Sequence, residues 1–270
     1  MTPAANRASL GAGFPSLDTA LFTPTGNFLL DAAARAMAEA FPKPTPERIV
    51  AALDRVFVLA DQSWDATRMG AGFRLGNPGI ACKAGCGWCC HQQVGISVPE
   101  AIRIAVHIRA LPPAESEAVL GRVRALDDAT NGLTTSMRAA GKWPCAFLVD
   151  GACTIYAVRP LRCRGLQSTD AGFCRKSFED PEATRAGLAL GTVRPTFLAQ
   201  PQHIYDQILN GVLKTLHFAK VADYGLELTA AIRELTDQPR RMTEWLRQPR
   251  AARSTALVPD PGADTAGQLR

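Results

Sequence analysis

No apolar run in this 270-residue chain is long enough to cross a bilayer. The longest apolar helical stretch, residues 28–41, is interrupted by Asp31, Arg35 and Glu39, whereas a spanning helix needs about 20 mostly apolar residues. The opening segment MTPAANRASLGAGFPSLDTALF has no basic stretch followed by a continuous apolar one, so it does not read as a secretion signal. A cytoplasmic protein without membrane association is the expectation. Aromatic residues make up only 7% of the chain and are not interleaved with a basic run, and the net charge of +5 is modest. Nucleic acid is therefore not expected as a partner. The sequence has no internal repeat at a solenoid period. Cysteine is absent from residues 1–81 and from residues 175–270.

The cysteines that are present are crowded. All eight fall between Cys82 and Cys174, and four lie within the nine residues Cys82, Cys86, Cys89 and Cys90. A lone thiol is a small, often buried side chain that needs no function. Four in one short loop are hard to explain by packing and point to metal ligation, a redox pair or a disulfide framework. Disulfides need an oxidising compartment. In the expected cytosolic setting, metal binding is the preferred reading.

A composition of 47% hydrophobic and 20% charged residues is that of an ordinary globular protein with enough chain to bury a core. Residues 1–26 lack periodicity and read as a flexible leader. Helical spacing is evident over 28–41, and again from Pro46 through Trp64, where Thr45 can cap and Pro46 can occupy the first position. The run GAGFRLG at 70–76 follows a helix and has the wrong glycine spacing for a dinucleotide loop, so it is read as a flexible entry. A short strand is expected within residues 92–96. Ser97 and Glu100 form a capping box ahead of a helix through Ile108. A second helix is expected over 114–137. Asp150-Gly151 between two apolar runs predicts a hairpin. Regular pairing would put Cys145 and Cys153 on opposite faces. Either Cys145 lies just outside the strand or the pairing is bulged. Pro160 can open a short helical turn carrying Cys163. Residues 165–195 show little periodicity, and helical spacing returns from Pro201 to Leu216 and from Leu228 to Leu235. Residues 248–270 read as a disordered tail. The expected fold is mainly α with a small cysteine-rich β-hairpin and metal-binding insert. It is a single domain over 27–247, with the metal-binding region at 80–175.

Zinc and iron–sulfur centres both recruit thiolates as C-x2-C pairs with distant partners. Cys86-Gly87-Trp88-Cys89 is such a pair. Cys89 and Cys90 are neighbours, whose side chains point apart in extended backbone, so they are not expected to serve one ion in regular geometry. Eight thiols suffice for two four-coordinate sites. His91 is a nitrogen donor beside the loop, equally suited to hydrogen-bonding support. Lys83, Arg159, Arg162 and Arg164 supply positive charge that favours thiolate, unless they face solvent.

The spacing C-x3-C-x2-CC from Cys82 to Cys90, then PCAFL, then GACTIYAVRPLRCR over 151–164, resembles the CxxCxxCC zinc- or iron-chelating family, also called the YkgJ family. The helix entry ISVPEAIRIAVHI fits as well. The resemblance covers about residues 80–165 and implies metal-chelating roles for Cys86, Cys89, Cys90, Cys145, Cys153 and Cys163, together with Cys82. Cys82 departs from the family spacing by one residue, and Cys174 lies outside the matched motif. Cys174 and His91 therefore stand as secondary candidates. The resemblance implies zinc or iron as the cofactor, with an iron–sulfur oxidoreductase as the alternative. It also includes a branch associated with lysine N-methylation of flagellin. No glycine-rich strand-to-helix turn for an adenosyl cofactor accompanies the motif.

Overall fold

Residues 25–77, 79–248 and 250–261 are described by the structure, a computed structural model. Helix α1 (Phe28–Ala38) starts where the Asn27 side chain accepts the Leu30 amide. Helix α2 (Pro46–Met69) starts where Thr45 accepts the Arg48 amide and proline fills the first turn. These devices satisfy amides that a helix start leaves without partners. After α3 (Ala71–Gly76) comes the cysteine loop, ending in the two-residue strand β1 (Gly95–Ile96). Helices α4 (Val98–Arg109), α5 (Pro113–Thr130) and α6 (Thr135–Ala140) follow, then the hairpin strands β2 (Leu148–Val149) and β3 (Ala152–Cys153). Short helices α7 (Leu161–Gly165), α8 (Ala171–Glu179) and α9 (Pro181–Ala189) precede the long α10 (Ala199–Phe218). Strand β4 (Leu226–Glu227), α11 (Leu228–Asp237) and α12 (Arg241–Trp245) complete the helical set, with a 3-10 turn at Arg253–Thr255 beyond it. The fold is mainly α with two small antiparallel sheets, β1–β4 and β2–β3.

One apolar cluster joins these elements. Met37 of α1, Ile49, Leu53 and Val56 of α2, Ile102, Ile104 and Ile108 of α4, and Ile208, Val212 and Leu216 of α10 are all buried in it. Phe147, Ile155 and Leu161 from the cysteine region enter the same cluster. At roughly 1.5–3 kcal/mol for each large apolar side chain fully buried, the helices and the cysteine region stabilise one another.

Several sequence expectations change in detail. The helix expected over 114–137 is two helices, because Asn131 leaves the helical region and Gly132 takes φ +79°. Residues 165–195, poorly periodic in sequence, carry α8 and α9, each started by an aspartate that accepts an amide: Asp170 from Gly172 and Asp180 from Ala183. Capping rather than an apolar stripe marks these helices, and buried residues are few on both. GAGFRLG is largely the short helix α3. Strand β1 lies within the stretch expected, and its partner β4 is remote in sequence, pairing Gly95 with Glu227 and Ile96 with Leu226.

Residues 250–261 depart from the expectation of a disordered tail. Ala252 and Thr255 are buried, Leu257 donates to the Gly225 carbonyl at 3.0 Å, and Asp260 accepts from the Ser136 hydroxyl at 2.6 Å. Backbone pairing and two small buried side chains hold this segment, which a scan for large apolar residues overlooks. Residues 249 and 262–270 of that expected tail, and residues 1–24 of the expected leader, lie outside the described residues.

Candidate metal centre

The hairpin forms at the expected place. Asp150 (φ 49°) and Gly151 (φ 76°) occupy the two turn positions, a type I′ arrangement that matches strand twist. Leu148 pairs with Cys153 and Val149 with Ala152. Cys145 lies before β2, in a turn closed by the Leu148 amide on its carbonyl at 2.9 Å. Of the two arrangements considered for Cys145, it is the one outside the strand that occurs.

The cysteine loop packs directly on this hairpin. A Cβ built on Gly151 would sit 3.2 Å from the Gly85 carbonyl oxygen, so the turn and the loop touch backbone to backbone. The Cys145 amide donates to the Cys90 carbonyl at 2.7 Å. At the loop's other end, the Ala81 amide donates to the Ser168 carbonyl at 2.9 Å, and the Ser168 amide donates to Cys82 Sγ at 3.2 Å. Cys89 and Cys90 fall within the 3-10 turn Trp88–His91 rather than in extended backbone. The divergence of neighbouring side chains expected for extended backbone does not carry over to this turn.

Cys163 is positioned by a buried carboxylate. Glu100 closes the capping box of α4, accepting from the Ser97 amide at 2.8 Å and the Ser97 hydroxyl at 2.7 Å. Its other oxygen accepts the Leu161 amide at 2.8 Å, at the start of α7. Arg164 anchors the far side of α7. It is 5% exposed and donates to Asp61 at 2.7 Å, to the Ala157 carbonyl at 2.6 Å and to the Arg159 carbonyl at 2.9 Å, with its guanidinium 4.3 Å from the Phe57 ring centroid. The Tyr205 hydroxyl donates to the other Asp61 oxygen at 2.7 Å. Thus α7 is tied to α2 and α10 through one aspartate.

These elements line a half-open cleft of 1120 Å³ that all eight cysteines border: Cys82, Cys86, Cys89, Cys90, Cys145, Cys153, Cys163 and Cys174. Asp61, Trp64 and Arg68 of α2 and Gln202, Tyr205 and Asp206 of α10 line it as well. Lys83, Arg159, Arg162 and Arg164 also line it. His91 is not among the lining residues, and its ring packs 4.3 Å from that of Phe178.

The thiols perturb one another. Burial pushes Cys82 up, as do the neighbouring Cys86, Cys89 and Cys174, against a lowering by the Ser168 amide. Burial raises Cys174, and again Cys86 and Cys89 add to it. On the hairpin side, burial raises Cys145 to about 11, opposed by the Phe147 amide. Cys153 is raised by burial, opposed by the Ile155 amide and by Arg159. Cys163 is raised well above the usual range by burial and by Cys145, Cys89 and Cys153. The Cys89 thiol is raised first by its hydrogen bond with Cys90, then by burial.

As they stand, and among the described residues, no three His, Cys, Asp or Glu side chains close round one point as an ion would require. The fit to a thiophilic ion rests on the donor set: eight thiols lining one cleft, with the Ser168 amide donating to Cys82 Sγ. A bound cation would stabilise the thiolates, relieving both mutual repulsion and burial. Side-chain rotation within the two loops would have to accompany ion entry.

Residues 81–183 match the CxxCxxCC family. That family's model is described as a "Putative zinc- or iron-chelating domain". No curated protein and no solved structure matches the chain. The CxxCxxCC segment contains every cysteine but not α2 or α10, which also line the cleft. Sequence reading missed Ser168, Asp61 and Tyr205. No local pattern marks Ser168 as a partner of Cys82, and Asp61 and Tyr205 sit on helices whose apolar spacing alone draws notice. Among the described residues, no helix is long and apolar enough to cross a membrane.

Proposed function

We propose that this protein binds zinc or iron through thiolates of two loops, residues 82–90 and 145–163, with Cys174 joining them. The observation that carries this reading is that all eight cysteines, spread over three separate stretches of chain, line one cavity. Packing alone gives no reason for such convergence, whereas thiolate ligation requires it. The ligands we assign are Cys82, Cys86, Cys89, Cys90, Cys145, Cys153, Cys163 and Cys174. The bound ion would supply Lewis acidity or a structural crosslink, while the chain supplies thiolates, amides aimed at sulfur, and the cationic rim. His91, packed against Phe178, is left out of the ligand set. The chemistry suits a reducing cytoplasm, where all eight thiols stay unpaired.

A second reading is an iron–sulfur oxidoreductase. The observation in its favour is that eight thiols line one cleft, since cysteine thiolates are the ligands iron–sulfur clusters take. Anaerobic purification followed by elemental analysis separates the two. Zinc protein is colourless because the ion is d10, and an iron–sulfur protein is brown. Protein that contains neither metal, and takes up neither when offered each under reducing conditions, sinks the proposal.

A further inference from the structure

We infer that the cavity holds two metal centres joined at the Cys89–Cys90 pair. Cys82, Cys86 and Cys174 belong to one, Cys145, Cys153 and Cys163 to the other, and one member of the adjacent pair completes each. The inference rests on the thiolate reading above and extends it to number and partition.

Backbone geometry carries it. The two ends of the cysteine loop are bound to different parts of the chain. At the Cys82 end, the Ala81 amide bonds the Ser168 carbonyl at 2.9 Å and the Ser168 amide bonds Cys82 Sγ at 3.2 Å. Asp170 then caps α8 by accepting the Gly172 amide at 2.7 Å. Helix α8 lies against the 3-10 turn, with the Phe178 ring tilted against those of Trp88 (centroids 5.8 Å apart) and His91 (4.3 Å). Cys174, near the start of α8, lines the same cavity as Cys82 and Cys86. At the Cys90 end, the Cys145 amide bonds the Cys90 carbonyl at 2.7 Å. From there the hairpin register brings in Cys153, and the Glu100–Leu161 bond brings in Cys163.

Cys89 and Cys90 lie between these two anchored ends, consecutive in the 3-10 turn Trp88–His91. A structural thiolate site takes four ligands. Three thiols on each side plus one from the central pair account for all eight, whereas a single four-coordinate ion would leave half of them without a role.

The test is anaerobic titration of the ion-free full-length protein with Co2+, following thiolate-to-cobalt charge transfer and the intense d–d bands of tetrahedral sites. Two equivalents are expected for the wild type. Cys174→Ser and, separately, Cys82→Ser should each lower the tight stoichiometry to one, and Cys163→Ser should remove the other equivalent. Circular dichroism of the ion-free variants checks that the helices persist. Using both Cys174 and Cys82 keeps the test valid if one variant fails to fold. Saturation of the wild type at one equivalent overturns the two-centre inference and leaves the thiolate reading standing, as does retention of two equivalents in Cys174→Ser and Cys82→Ser. Absence of any cobalt–thiolate band removes both.

Discussion

The Glu100 carboxylate bonds the Leu161 amide at 2.8 Å, joining the start of α4 to the start of α7 across 61 residues of chain. With the Ser97 amide and hydroxyl on its second oxygen, this buried acid has three donors. A carboxylate accepting several bonds is well satisfied when buried, and removing its acceptor capacity leaves those donors exposed to nothing. Glu100→Gln puts a donor where an acceptor is required. A loss of about 2–3 kcal/mol is expected in urea denaturation, with reduced metal occupancy because α7 carries Cys163. Glu115→Gln, on an exposed first turn, should change stability by less than about 0.5 kcal/mol. Equal effects from the two would rule out the bridging role.

Arg164 makes bonds in three directions from one planar group. Lysine cannot reproduce that fork. Arg164→Lys should cost about 1–3 kcal/mol and weaken metal binding by shifting α7. Tyr205→Phe removes only the hydroxyl bond to Asp61 and should cost about 1 kcal/mol. Thermal denaturation of the two variants should rank them in that order, and the reverse order would show that Asp61 rather than Arg164 is the organising group.

Cys89→Ser and His91→Ala separate ligand from neighbour. Cys89 lines the cavity, whereas His91 packs on Phe178. Metal content should fall sharply in the first and stay at the wild-type level in the second. Hydrogen exchange should quicken in residues 80–96 and 144–175 together in Cys89→Ser, as it should on chelation of the wild type, with α1, α2 and α10 protected throughout. Metal content unchanged in Cys89→Ser would refute the ligand assignment.

Burial raises Cys145 from the usual 9.0 to about 11. A thiol raised on folding favours the fold of the ion-free protein fully below about 9 and loses that contribution as pH climbs towards 11, at roughly 1.4 kcal/mol per unit. Urea midpoints of ion-free protein should therefore fall between pH 9 and 11, less so in Cys145→Ala. Metal affinity has the opposite slope: ligation releases thiol protons, so binding tightens as pH rises towards 9. An affinity for Co2+ that is flat between pH 6 and 8 would contradict thiolate ligation.

Much of this was legible in the chain. Helical spacing located α1, α2, α4, α10 and α11, and the S-x-x-E and Asp-Gly signals located the α4 start and the hairpin. The gathering of the cysteines in one cleft agrees with the expectation of a C-x2-C pair served by distant partners. Other features had no local signature. The pairing of β1 with β4 joins residues 95–96 to 226–227, and register between remote two-residue strands is set by the packed helices around them. Glu100 announced a cap and gave no sign of its second bond to Leu161. Helices α8 and α9 have so little buried surface that periodicity could not reveal them, and only Asp170 and Asp180 hinted at their starts.

The Asp61 carboxylate, reached by Arg164 from one side and Tyr205 from the other, bears on how the molecule can be divided. The CxxCxxCC segment supplies the sulfur, and α2 and α10 supply further lining of the same cleft. Cutting the chain at the limits of the motif would strip Arg164 of its counter-ion and bare the isoleucines of α4. The cysteine-bearing stretch thus shares its core and its cleft with helices on both sides of it in the chain. Grafted into another helical frame, it would need an acidic residue on one neighbouring helix and a phenol on another before its thiols could be held in place.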